Sequence, residues 1–241
     1  MNKNWRNVFL AFIKKELTET LHTMTPILLF SIVVTNVLQY VTMQNVMKLN
    51  LPAEDSSIQF GSIMMYMSVI IIIIMFVGHT LINRYMYEEK TAKAINVMLS
   101  GGMDKTAIWC AKLFVTFLLC MVLLLLSVIA NMIMAVVAFK LTIRFTVMSA
   151  VMTFVTMPFL CFGVLSLISV AYWYFKNMSL FGLIFPIAAY LGVWNLSIKL
   201  VGIEVPTYVA LISVVLGVGF FAIAAVCLNM IPKERIASST K

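Results

Sequence analysis

The sequence predicts an all-α polytopic membrane protein, with six transmembrane helices in a single domain over residues 1–241. Composition is the first observation: 63% of the residues are hydrophobic and 11% are charged, against ~25% charged in soluble domains. The second is that apolar residues form six runs free of Asp, Glu, Lys and Arg, at 25–43, 60–81, 113–139, 147–172, 180–198 and 208–231. Each run is near or above the ~20 residues that a helix needs to cross hydrocarbon, where backbone groups must pair internally.

The distribution of positive charge predicts that both termini are cytoplasmic. With the amino terminus inside, every lysine and arginine lies on the cytoplasmic side except Lys48, Lys140, Arg144 and Lys199. Short cytoplasmic loops accumulate Lys and Arg, so the opposite topology is disfavoured. We expect the cell (inner or plasma) membrane of a bacterium, because no transit segment is visible. The net charge of +8 then reflects topology and headgroup attraction rather than nucleic-acid binding.

The first element is predicted to be an amphipathic helix over residues 4–22 that lies in the membrane interface. Its apolar side is interrupted because Glu16 and Glu19 project to the same side as Phe12. Either the helix bends there, or these carboxylates face a protein partner. Thr25-Pro26 then begins the first span, since proline is tolerated in the first turn of a helix.

The loop at 82–112 is the largest predicted cytoplasmic connection. Good helix formers predict a short helix at 92–99, ended by Gly101-Gly102, and Asp104 is placed to cap the next helix. The short helix carries three apolar residues that need cover, Ile95, Met98 and Leu99. They dock either on this protein's own helix ends or on a partner.

The later spans contain two prolines, Pro158 and Pro186, which are predicted to bend their helices because each removes a backbone hydrogen bond. Spans four and five are joined by a tight turn at Lys176 and Asn177. They are therefore expected to be antiparallel neighbours.

This organisation resembles the membrane subunits of type 2 ATP-binding-cassette exporters. Those subunits have a glutamate-containing stretch after span two, a short helix with a Leu-Leu-x-Ser-Pro-like ending, and a lysine that opens span three. The matching segments here are Glu88-Glu89, Asn96-Val97-Met98-Leu99-Ser100-Gly101-Gly102 and Lys112. The sequence departs from the family pattern where Lys93-Ala94 replaces Gly-Thr, Asn96 replaces Glu, and Gly102 replaces Pro.

The resemblance implies that the loop is a coupling helix that docks on a separate ATP-binding-cassette ATPase subunit, present in two copies. The implied contact residues are Glu88, Glu89, Lys93, Asn96, Met98 and Leu99, joined by Glu16 and Glu19. No GxxxxGK[ST] phosphate-binding loop occurs in the chain, so ATP and Mg²⁺ are expected on the partner. The family's twelve spans imply a second permease copy, identical or related.

The expected substrate is hydrophobic or amphipathic: a peptide, a drug or a lipid. The predicted spans contain no Asp, Glu, Lys or Arg, and His79 is their one histidine. Proton coupling is therefore disfavoured, because a proton needs ionisable partners within the membrane. The chain has 19 methionines, whose flexible thioethers form adaptable apolar surfaces. The residues proposed to line a pathway are Met64, Met67, Met75, Asn131 and Met134.

Two other classes of function compete with the exporter. A polytopic membrane enzyme needs a constellation such as GxSG or HExxH, and neither motif is present, so we assign no catalytic residues. The four cysteines form no CxxC pair and no metal site is assigned. A non-transporting immunity or sensor protein for a peptide remains the second alternative, and it needs no ATPase partner.

Overall fold

A computed structural model of the chain describes residues 3–48, 71–139, 147–175, 207–232 and 236, and these residues form helices without any strand. We number the helices α1 (Lys3–Lys48), α2 (71–91), α3 (Ala94–Ser100), α4 (Lys105–Phe139), α5 (147–174) and α6 (Thr207–Met230). Two of them contain π-helical turns, at Ile71–Val77 and Asn83–Glu88 in α2 and at Met152–Thr156 in α5.

Three of the described helices are long and apolar enough to cross a membrane: Lys105–Ala138, Met152–Tyr174 and Ala210–Met230. They correspond to the predicted spans three, four and six. A bent pair, Ile13–His22 and Thr25–Leu38, adds a fourth span if it counts as one. The predicted span 180–198 and residues 60–70 of the second span lie outside the described residues. The chain is thus a helical membrane protein with three to four described spans.

Helix α1 bends by 67° between His22 and Thr25, at the predicted junction between the interfacial helix and the first span. Pro26 has no N–H to donate to the carbonyl of His22. The Thr25 hydroxyl donates instead to the carbonyl of Leu21, a back-bond of the kind that bends helices. Together these two residues explain a sharp bend in a helix that has no other break.

Helices α5 and α6 pack against each other more extensively than any other described pair, and glycine makes this possible. A Cβ atom on Gly163 would lie 2.8 Å from the Cα of Gly217. A Cβ atom on Gly217 would lie 2.5 Å from the carbonyl oxygen of Phe159. The two backbones are therefore in direct contact, which is a common way for helices to associate in membranes.

Pro158 stands in the first turn of the α-helical part of α5, directly after the π-helical turn Met152–Thr156. Proline has no N–H to donate, and the preceding N–H, that of Met157, bonds five residues back to the carbonyl of Met152 in the π-helical turn. Met152–Tyr174 consequently counts as one span helix rather than as a bent pair. The π-helical turn accommodates Pro158, whereas Pro186 lies outside the described residues.

Candidate functional site: the loop at residues 82–112

A fully buried lysine joins three parts of the chain at one end of the helix bundle. Lys112 Nζ lies 3.0 Å from Glu16 Oε1 and 2.8 Å from Glu89 Oε1. Lys112 is 0% exposed and the Glu16 side chain only 5%. Glu16 belongs to α1, Glu89 to α2 and Lys112 to α4, so this ion triad, as we call it, fixes three helices to one another.

Burial also affects the groups around the ion triad. Burial raises the pKa of Glu89 above its ordinary value, while the Lys112 ammonium acts in the opposite direction. The ring of Tyr85 lies 5.1 Å from Lys112 Nζ, a cation–π distance. Burial, followed by the negative charge of Glu16, raises the pKa of Tyr85 as well. The triad holds two carboxylates for one cation, which makes Lys112 the residue that compensates both.

Two further lysines attach the loop to the carboxyl-terminal ends of helices. Lys90 Nζ donates to the carbonyls of Trp173 at 2.8 Å and Tyr172 at 3.3 Å, in the last turn of α5. Lys105 Nζ donates to three carbonyls at the end of α6, those of Ile231 (2.6 Å), Leu228 (3.0 Å) and Asn229 (3.1 Å). Cations are favourable there because the last carbonyls of a helix are unpaired and carry partial negative charge. We call this end of the bundle the loop end.

Helix α3, the predicted coupling helix, is flanked on both sides by residues of positive φ. Lys93 precedes it with φ 61° and Gly102 follows it with φ 84°. At the carboxyl end, Gly102 N–H donates to Leu99 O and Met103 N–H donates to Met98 O, both at 3.2 Å. This is the Schellman arrangement, which confirms that Gly101-Gly102 ends the helix.

The side chains of α3 divide between the protein and the surroundings. Ile95 is fully buried, and Met98 and Leu99 are half-buried against the core, so these three apolar residues dock on the protein's own helices. Val97 points away from the core and is 70% exposed. The other exposed residues between positions 88 and 102 are Glu88, Thr91, Ala92, Lys93, Ser100, Gly101 and Gly102.

The residues proposed to contact a partner therefore occupy different environments. Glu88 and Lys93 are exposed at the loop end, and Asn96, Met98 and Leu99 are half-buried. Glu89 and Glu16 point inward to Lys112. Glu19 is exposed on α1 and lies 3.7 Å from Lys15. The structure brings the loop residues of this set together around α3, with Glu16 reaching them through Lys112.

Replacing Lys93 with glycine is expected to stabilise the loop even though it removes a charge. A residue with a Cβ in the left-handed region carries strain of roughly 1–2 kcal/mol, and glycine carries none. Lys93→Ala, which removes the charge and retains the strain, is the matched control. In thermal unfolding of the detergent-solubilised chain, the free energy of unfolding of Lys93→Gly should be about 1 kcal/mol higher than that of Lys93→Ala. Equal stability of the two variants would contradict the strain.

Replacing Lys105 with methionine is expected to loosen the end of α6, since three carbonyls lose one charged donor. Hydrogen bonds to charged groups contribute about 1.5–3 kcal/mol each as a class, so we expect a total loss of at least about 1.5 kcal/mol. Faster amide hydrogen exchange at the carboxyl end of α6 measures the effect. Lys14→Met, at an exposed position of α1, is the control and should leave this exchange unchanged. Unchanged exchange in both variants would show that the Lys105 contacts carry no stability.

The residues predicted to line a pathway are not gathered in one place by the described helices. Met75, on α2, is buried in the protein core, and Met134, on α4, is half-buried. Met64 and Met67 lie outside the described residues. Asn131 is fully buried on α4, and neither of its amide atoms has a hydrogen-bond partner among the described residues. Four residues before it, Ser127 is in the same situation.

Buried polar residues of α1 and α4 repeat with the same spacing in the two packed helices. They are Glu16, Thr20, Ser31 and Thr35 in α1, and Lys112, Thr116, Ser127 and Asn131 in α4. The hydroxyls of Thr20, Ser31, Thr35 and Thr116 donate to carbonyls of their own helices. The unpaired groups of this polar face are therefore confined to Ser127 and Asn131, in the half of α4 distant from the loop end.

His79 is used within the fold. Its Nε2 lies 2.6 Å from the hydroxyl oxygen of Tyr172, and both residues are buried. Among the described residues, no three His, Cys, Asp or Glu side chains are grouped so that they would hold a metal ion. Lys90 and Lys105 cannot be singled out from the sequence, because a lysine in a polar loop has no local signal for contact with the end of a distant helix.

No family model, curated protein or solved structure matches this chain.

Proposed function

We propose that the chain is the transmembrane subunit of an ATP-driven exporter of the type 2 ATP-binding-cassette class. It moves a hydrophobic or amphipathic substrate out of the cytoplasm. The nucleotide-binding subunits are separate chains that hold ATP and Mg²⁺, and two permease copies form the pathway. In this proposal the chain has six spans with both termini in the cytoplasm of a bacterium, and it has no catalytic residue of its own.

The observation that carries the proposal is the construction of the loop end. A short helix, α3, presents Val97 outward while its apolar inner side is docked on the bundle. Lys90 and Lys105 connect the adjoining segments to the ends of α5 and α6. A surface that must receive force from a partner needs such attachment, because a loosely held helix would move without moving the spans.

The directions in which α5 and α6 cross the bundle support the proposed six spans. The carboxyl-terminal ends of α5 and α6 both lie at the loop end, as their contacts with Lys90 and Lys105 require. The chain between these helices therefore has to return to the other end of the bundle. A fifth span at 180–198 would provide this return, and its charge-free sequence has the required length.

Asn131 supports a polar contact within the proposed pathway. The amide of Asn131 is buried and has no hydrogen-bond partner among the described residues, and such groups in native proteins call for a water, a ligand or another partner. We expect Asn131→Leu to preserve or raise thermal stability, because an apolar residue of similar size removes the cost. The same variant should lower transport if the amide contacts the substrate. Unchanged transport would remove Asn131 from the pathway.

Site-specific photocrosslinking in cells tests the partner. A photoreactive amino acid at Val97 is expected to capture an ATP-binding-cassette ATPase, identified by mass spectrometry. The matched control is the same probe at Val137, which is 73% exposed but lies in the last turn of α4, away from the loop end. Capture of no ATPase from Val97, or of the same proteins from both positions, would favour the sensor or immunity protein, which needs no such partner.

Charge reversal at Glu88 tests the coupling itself. Glu88 is exposed, so Glu88→Lys should leave the fold intact and weaken the proposed contact with the partner, because the contact residue changes its charge. We expect vanadate-sensitive ATP hydrolysis in the reconstituted complex to lose its stimulation by substrate, with about a tenfold weaker assembly of the subunits. Glu88→Gln is the control and should have a smaller effect. Full stimulation in Glu88→Lys would argue against the proposed contact.

A further inference from the structure

The ion triad holds more negative than positive charge at a buried place. Lys112 supplies its ammonium group, and the carboxylates of Glu16 and Glu89 lie 3.0 and 2.8 Å from Nζ. The ring of Tyr85 also faces this ammonium group and adds no positive charge. Two carboxylates that share a buried site are disfavoured when both are ionised, because one cation compensates them only in part. One of the two is therefore a natural place for a proton.

The two carboxylates differ in their access to water. The side chain of Glu16 is 5% exposed, whereas that of Glu89 is 24% exposed. Burial is the main cause that raises the pKa of Glu89, and the charge of Glu16 adds to it, against the opposing charges of Lys112 and Lys15. Glu89 is thus the member of the triad that a proton from the surrounding water can reach.

Glu89 and the next residue attach the end of α2 to different neighbours. Glu89 contacts Lys112 of α4, while Lys90 donates to carbonyls in the last turn of α5. Without the Glu89 contact, the loop would still be attached to α5 but no longer to Lys112. The pair of Lys112 with Glu16 is more deeply buried and joins α4 to α1 in either case.

We propose that Glu89 is a proton-binding latch: a proton on its carboxyl group holds the end of α2 on α4, and loss of this proton releases it. With Glu89 protonated, Lys112 and Glu16 balance each other, and the neutral carboxyl group still accepts a hydrogen bond from the ammonium group. With Glu89 ionised, two carboxylates compete for one ammonium group, and Glu89 gains hydration by turning toward water.

The direction of the pH dependence follows from the burial of Glu89. The docked carboxyl group binds its proton more tightly than a glutamate in water, whose pKa has the ordinary value of 4.5. The docked form therefore has its full advantage below this value and loses it as the pH rises through the higher pKa of docked Glu89. The latch does not depend on the proposed transport activity.

Carbon-13 NMR of the full chain in detergent, labelled at the glutamate side-chain carboxyl groups, measures the proton directly. The chain has nine acidic residues in all, so few signals overlap, and the signal missing from Glu89→Gln identifies Glu89. We expect Glu89 to titrate at higher pH than the exposed Glu88. Glu16→Gln should move the titration of Glu89 to lower pH, since Lys112 then has one carboxylate to compensate. Titration of Glu89 together with Glu88 would overturn the proposal.

Release of the loop is measured as a distance between spin labels at Val97 of α3 and Thr18 of α1, which are both exposed. The native cysteines are first replaced by alanine at Cys110, Cys120, Cys161 and Cys227. We expect a longer distance to gain population between about pH 5 and about pH 8, by at most about tenfold per pH unit, the limit for one proton. Labels at Thr18 and Phe114 should give the same distance throughout, because Glu16 keeps α1 on Lys112 of α4.

Two neighbouring substitutions separate proton binding from the fold. Glu89→Gln is neutral at every pH and should abolish the change in the distance between Val97 and Thr18. Glu88→Gln, at the adjacent exposed position, should retain this change. A change that persists in Glu89→Gln would assign the proton to another group, and a distance in the parent that is constant with pH would show that Glu89 is no latch. The NMR titration of the parent decides the question even if Glu89→Gln does not fold.

Discussion

Lys112→Met should be among the most destabilising single substitutions in the described part of the chain. The variant leaves the buried carboxylate of Glu16 and the half-buried carboxylate of Glu89 without this cation, and removing one partner of a buried ion pair typically costs about 3–5 kcal/mol. We expect a large fall in the unfolding temperature of the detergent-solubilised protein and loss of α1 from the bundle. Differential scanning fluorimetry and proteolysis between α1 and α2 measure the two effects.

The controls separate uncompensated charge from lost packing. Neutralising the whole triad (Glu16→Gln, Glu89→Gln, Lys112→Met) is expected to restore most of the stability, because no buried charge remains. Lys15→Met breaks the exposed pair with Glu19 and should change stability by no more than about 1 kcal/mol. A triple variant as unstable as Lys112→Met would show that side-chain shape, rather than charge, sets the cost.

Gly163→Val is the second substitution with a large expected effect. Its Cβ would overlap the backbone of Gly217, and a backbone has no alternative rotamer that makes room. Helices α5 and α6 would have to separate, so we expect a loss beyond the ~1–3 kcal/mol of ordinary overpacking. Reduced yield of folded protein, and a lower unfolding temperature of what remains, measure this loss.

Gly219 provides the matched control, because it lies on the same helix as Gly217 and a Cβ there meets no atom of the described residues within 4 Å. Gly219→Val should therefore leave folding close to that of the parent. Gly78→Ala should fall between the two, since the nearest obstruction, at 2.7 Å, is the Cδ1 of the flexible Leu165 side chain. Equal effects at Gly163 and Gly219 would show that α5 and α6 do not meet through their glycines.

The spans and the limits of the loop are predictable from the sequence because their causes are local. Charge-free apolar runs predict α4, α5 and α6, Thr25-Pro26 predicts the junction in α1, and Gly101-Gly102 predicts the end of α3. Each of these features depends on residues within a few positions of one another, so a pattern along the chain contains the information.

The ion triad is not predictable in the same way, since Lys112 and Glu16 are 96 residues apart. The sequence shows only that Glu16 projects to the apolar side of its helix, which leaves a bend or a partner as explanations. The structure gives the carboxylate a third environment, a lysine of the same chain. Likewise, the π-helical turns of α2 have no local signature, because a run such as Ile71–Val77 suits an α-helix equally well.

The ion triad also constrains the order in which the protein can be built. Both acids are synthesised before the base, Glu16 by 96 residues and Glu89 by 23. During translation neither carboxylate can therefore contact the Lys112 ammonium group until the first turns of α4 have been synthesised. The contacts by which this group joins α1 and α2 form only once the third hydrophobic segment has begun.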